Sequence, residues 1–101
     1  MLEKLTYEAL TAALDTLFKV HGRNGETVEM KLVEVSPLKK TAQTESFSLT
    51  FQAPIDSPLG QGNYPIEHLQ LGPAELFIVP VKQEAGHLFY QAVFNRLVPG
   101  K

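Results

Sequence analysis

The chain contains no cysteine. Disulfides and cysteine-based zinc sites are therefore excluded. A small secreted domain often depends on such staples, so their absence points to the cytoplasm. No run approaches the roughly 18 consecutive apolar residues that cross a bilayer as a helix. The opening segment, Met1 to Leu10, lacks a charged region followed by an apolar stretch, so no signal peptide is expected. Net charge is −2 with histidine neutral, and the only adjacent basic pair is Lys39-Lys40. No basic footprint for nucleic acid is present. A soluble protein that binds neither nucleic acid nor membrane is the expectation.

What is present fits one folded domain. The chain has 101 residues, 44% of them hydrophobic and 20% charged. That is near the commonest domain size and too apolar for a disordered chain. It is also long enough to bury one core without covalent staples. Residues 1–101 are therefore read as a single β-rich domain with an N-terminal helix.

Leu5 to Leu17 reads as that helix. Leu10, Ala13, Leu14 and Leu17 form one apolar stripe at helical spacing. Thr6 suits the N-cap, Leu5 and Leu10 have hydrophobic-staple spacing, and Glu8 complements the helix dipole. The stripe should pack on the β core, plugging a barrel end or covering one face.

The remainder reads as about six antiparallel strands joined mostly by hairpin-length turns. Asn24-Gly25 joins Phe18–His21 to Glu26–Val35, a pairing that Asn-Gly strongly favours. Apolar alternation in the second strand changes phase between Leu32 and Val33, which predicts a bulge or bend. Ser36–Glu45 reads as a loop. Phe47, Leu49 and Phe51 alternate with polar residues, as in a half-buried strand. Asn63–Leu69 places Tyr64, Ile66 and His68 on one face, with Pro65 pointing to an edge or bulge. Ala74–Val81 is apolar on both faces and calls for cover on both sides. Lys82–His87 is a hairpin loop, and Leu88–Leu97 the last strand. The fold class is mainly β (α+β), a small meander barrel or a two-sheet sandwich.

Chemistry is sparse. Tyr64, Glu67 and His68 form the candidate polar site, but Glu67 faces away from His68 across the strand. The bland alternative is a half-buried His68 hydrogen-bonded to backbone. His21, His68 and His87 lack ligand spacing, so no metal and no cofactor are expected. No serine lies in a nucleophile motif, and Gly60-Gln61-Gly62 precedes a strand rather than a helix, so it reads as a turn. Phe77, Val79, Phe89 and Tyr90 are the candidate interface, because both faces of the last two strands are apolar. Helix cover is the bland alternative there; a partner or self-association surface is the sharper one.

Six blocks are spread over nearly the whole chain. They are Met1–Glu8, Leu32–Val35, Phe47–Phe51, Gln61-Gly62-x-Tyr64-x-x-Glu67-His68-x-x-Leu71-Gly72, Leu76–Val81 and Tyr90–Asn95. Together they resemble a family of small bacterial proteins known only as a domain of unknown function. The resemblance carries no activity, cofactor or catalytic residue. It implies a structural or assembly role, in association with phage-tail-like or fibre assemblies. The expected function is thus a non-enzymatic protein-interaction or structural accessory domain. The alternative is a small-molecule-binding barrel or an enzyme using His68. A filled interior favours the first; an open cavity walled by His68 or Tyr64 favours the second.

Overall fold

The structure, a computed structural model, describes residues 6–97. One short helix, α1 (Tyr7–Ala12), precedes seven strands. These are β1 (Leu17–His21), β2 (Thr27–Val35), β3 (Lys39–Lys40), β4 (Thr44–Pro54), β5 (Gly62–His68), β6 (Gly72–Glu84) and β7 (His87–Leu97). The strand order β2-β1-β5-β6-β7-β4-β3 is closed by pairing of β2 with β4. Six antiparallel strands therefore form a barrel, and β3 is an addition to β4. Hairpins join β1 to β2, β5 to β6 and β6 to β7. The chain passes from β4 to β5 across two intervening strands. The return makes β4 to β7 a Greek-key unit rather than a plain meander.

The helix is shorter than its apolar stripe suggests. Thr6 caps it as expected, accepting from the Ala9 amide at 3.0 Å. It ends at Ala12, and Asp15 adopts φ 68, outside helical space. The Asp15 amide donates to Leu32 at 2.7 Å, and the Leu32 amide donates to Thr16 at 3.1 Å. Tertiary pairing with β2 thus takes over the backbone before the stripe runs out. Leu10 and Ala13 are buried, Leu14 is half-buried, and Leu17 opens β1 with 52% of its surface exposed. Leu5, the other half of the expected staple, lies outside the described residues.

Alternation does the rest of the work. Val28, Met30 and Leu32 of β2 point inward, and the register with β4 shifts between Leu32 and Glu34, where the apolar phase changes. Phe47, Leu49, Phe51 and Ala53 line the inner face of β4. The β1–β2 connection is a three-residue loop, Arg23-Asn24-Gly25, closed by the Gly22 amide donating to Glu26 at 2.8 Å. Only Gly25 needs positive φ there, at 87°. The segment expected to be a loop at Ser36–Glu45 includes β3 and the start of β4. The loop expected at Lys82–His87 is only Ala85-Gly86, both at positive φ (54° and 79°), with Glu84 paired to His87. That is the geometry of a two-residue hairpin turn matched to strand twist. Pro65 sits where β5 is paired with β6 alone, since pairing with β1 covers only Ile66 and Glu67. A proline therefore removes no ladder bond on that side.

Both barrel ends are closed. At the end where β1 begins, Leu10 is fully buried and the Tyr7 ring packs edge-on against Phe47 at 5.1 Å. Phe47 stacks in turn on Phe94 at 4.9 Å. At the other end, Leu59 of the β4–β5 connection is buried. Tyr90 donates to the Leu59 carbonyl at 2.6 Å, and Tyr64 donates to the Gly60 carbonyl at 2.9 Å. Two core tyrosines thus hold the loop in the barrel mouth by its backbone.

Candidate functional site

His68 is the only buried polar or charged residue among the described residues. Its position at the end of β5 follows from the alternation that also buries Tyr64 and Ile66. Nδ1 accepts from the amides of Gln70 at 3.1 Å and Leu71 at 3.2 Å. An imidazole nitrogen that accepts twice carries no proton, so the ring proton is on Nε2. Nε2 lies 2.8 Å from Thr16 Oγ1 and donates to it. Thr16 then donates to the Ala13 carbonyl at 2.6 Å. The ring also packs on Phe18, centroids 4.5 Å apart. Burial holds the imidazole below its ordinary pKa. His68 therefore ties the β5–β6 turn to the end of α1 as a neutral, fully bonded group. The backbone-bonded reading of the sequence describes it.

The rest of the candidate polar site does not converge on His68. Glu67 is exposed on the outer wall, 3.4 Å from His21 Nε2. Tyr64 is buried, with its hydroxyl on Gly60 and the Arg23 guanidinium 4.9 Å above its ring. Gly62 leaves room for that arginine, since a Cβ there would fall 2.5 Å from its Nη2. His87 lies at the opposite end of the barrel from His68, paired with Pro54. Among the described residues no group of three or more His, Asp or Glu is placed to hold a metal ion. A surface groove of about 390 Å³ has His68 in its wall together with Leu17, Lys19, Glu29, Glu67 and Leu69, the feature expected of the small-molecule alternative. Leu69, at the tip of the turn that His68 holds, is 99% exposed.

The candidate interface divides. Tyr90 is not on the surface: it is fully buried, bonded to Leu59 and to Ser57 Oγ at 2.8 Å. Burial pushes its phenol pKa up. Phe77 is 47% exposed on the outer face of β6, while Val79 of the same strand and Phe89 of β7 are half-buried. Lys82 lies 5.1 Å from the Phe89 ring centre. The helix covers none of this face, because its buried residues turn into the barrel end. The expected second cover over β6 is thus absent from the described residues. Val81, which the sequence groups with Phe77 and Val79, is 48% exposed at the bulge after Pro80, and sequence reading missed two further exposed apolar residues on β7, Val93 and Leu97, at 68% and 77% exposure. The alternation of β7 carried the signal, since Phe89, Val93 and Leu97 share a face with Gln91 and Asn95.

No buried side-chain nitrogen or oxygen among the described residues lacks a hydrogen-bond partner. No helix among them is long and apolar enough to cross a membrane. No curated protein and no solved structure matches the chain. Residues 5–94 match the family described as Domain of unknown function (DUF6916), and the chain belongs to that family.

Proposed function

We propose that this domain acts by binding another polypeptide on its outer wall, as a non-enzymatic accessory of a larger protein assembly. One observation carries the reading: Phe77, Val81, Val93 and Leu97, all well exposed, stand on the adjacent strands β6 and β7. Apolar side chains gathered on one face of a sheet are a common mark of a contact surface. The interior supports the same reading. Its buried side chains form one hydrophobic cluster, and its tyrosine hydroxyls and imidazole are spent on holding the fold.

The alternative, a small-molecule site using His68, has the groove beside that residue in its favour. Against it, both imidazole nitrogens are engaged, so a proton-transfer role requires breaking either the bond to Thr16 or those to the turn amides.

Affinity purification from the native host, comparing the wild type with a Phe77→Lys/Val93→Lys variant, tests the reading. A polypeptide retained by the wild type and lost by the variant supports it. Identical recoveries from both, or a small molecule alone, overturn it.

A further inference from the structure

Strands β6 and β7 are hydrogen-bonded along only part of their length. Their ladder runs from Glu84↔His87 to Val79↔Gln91 and stops. From Gly72 to Ile78, β6 is paired on its other side with β5. From Ala92 to Leu97, β7 is paired on its other side with β4. Two backbone edges therefore face each other without a ladder between them. A cleft of about 250 Å³ lies there, lined by Glu75, Leu76, Phe77, Val93, Phe94 and Arg96 among others. Leu76 and Phe94, 6% and 9% exposed, are core residues that form its floor; Phe77 and Val93 form its lips.

A free strand edge offers a row of amides and carbonyls that another extended chain can satisfy. The shape of the cleft limits which chain. The two edges lie on either side of one cleft, so a single extended segment would meet both, whereas the wall of a second barrel presents strands already paired on both sides. Among the described residues of a second copy the one edge strand is β3, two residues long and too short to fill the cleft, since each of the six barrel strands has neighbours on both sides. Charge narrows the choice further. Arg96 is engaged by Glu45 at 3.2 Å, whereas Glu75 has no ion-pair partner among the described residues. Among the described residues the cleft is left with an uncompensated acid.

We propose that the β6–β7 cleft takes up an extended peptide segment of a partner protein by strand addition, with alternate apolar side chains on Leu76 and Phe94 and a lysine or arginine beside Glu75. This rests on the protein-binding reading and specifies its mode.

The test is selection from a random displayed peptide library against the full chain, followed by backbone amide shift mapping with the recovered peptides. Recovered sequences should alternate apolar with polar residues and carry a basic residue. They should shift the amides of Glu75–Ile78 and Ala92–Arg96. Binding should fall about tenfold or more on Val93→Lys, on Glu75→Lys, and on N-methylation of alternate peptide nitrogens, a loss equivalent to ~1.4 kcal/mol or more. Peptides that bind equally well when N-methylated overturn strand addition. Peptides that map to another part of the surface overturn the cleft while leaving the protein-binding reading intact. A library without binders overturns the cleft as a peptide site, and the affinity purification above then decides separately on protein binding.

Discussion

His68→Ala removes one side chain and three structural tasks. It takes away the acceptor for the Gln70 and Leu71 amides, the donor to Thr16, and a ring packed on Phe18. Each of the three hydrogen bonds is worth ~0.5–1.5 kcal/mol net, the lower part of that range applying to the turn amides, which water can reach. Loss of the ring leaves a cavity beside Phe18, and truncations of this size cost ~2–4 kcal/mol. These contributions overlap, so a loss of ~3–5 kcal/mol is expected. That is a large part of the ~5–15 kcal/mol that holds a domain of this size.

Urea unfolding measures it, and pH separates the causes. Burial lowers the folded-state pKa of His68 below its ordinary value of 6.5. The unfolded chain then binds more protons below about pH 6.5, so stability falls as pH drops from there towards the folded-state pKa. The slope from this one group is at most ~1.4 kcal/mol per pH unit. His68→Asn is the informative companion, because its side-chain oxygen can accept from the same turn amides but does not titrate. It should be less destabilised than His68→Ala and should lack this part of the acid slope. A His68→Ala protein within ~0.5 kcal/mol of wild type, or a His68→Asn protein with the wild-type acid slope, would refute the tie between turn and helix.

Leu10→Ala should cost ~2–5 kcal/mol in the same assay, since Leu10 is fully buried at the closed barrel end. Tyr90→Phe leaves the Leu59 carbonyl without its donor and should cost ~1–3 kcal/mol, with faster amide exchange from Ile55 to Gln61. Ala85→Asn should raise the melting temperature, by the equivalent of ~0.5–1 kcal/mol, because Ala85 holds positive φ that asparagine tolerates better.

Local pattern and tertiary pairing divide what the sequence discloses. The inner faces of β2, β4 and β5 are readable because alternation of period two survives in any sheet they join. The bulge after Leu32 is readable for the same reason, as a break in that period. The end of α1 is not, because Leu14 and Leu17 continue the stripe while the backbone of Asp15 and Thr16 leaves it to pair with Leu32. Nor is the passage from β4 to β5 over the barrel mouth, which is held by hydroxyls of Tyr64 and Tyr90 far along the chain. At the candidate site, the shared face of Tyr64 and His68 follows from spacing, but their engagement by backbone groups depends on turns that spacing does not describe. Tyr90 and Phe89 are a related case: adjacency says that one is inside and one outside, and only the register with Phe51 and Gln52 says which.

The central claim is that the β6–β7 wall, not the barrel interior, is where this domain meets its partner. A photo-crosslinking residue placed in living cells at Val93, with a control at Lys31 on β2, tests it most directly. The account predicts a covalent adduct to a distinct polypeptide from position 93 and none from position 31. Adducts of equal yield from both positions, or none from position 93, would contradict it.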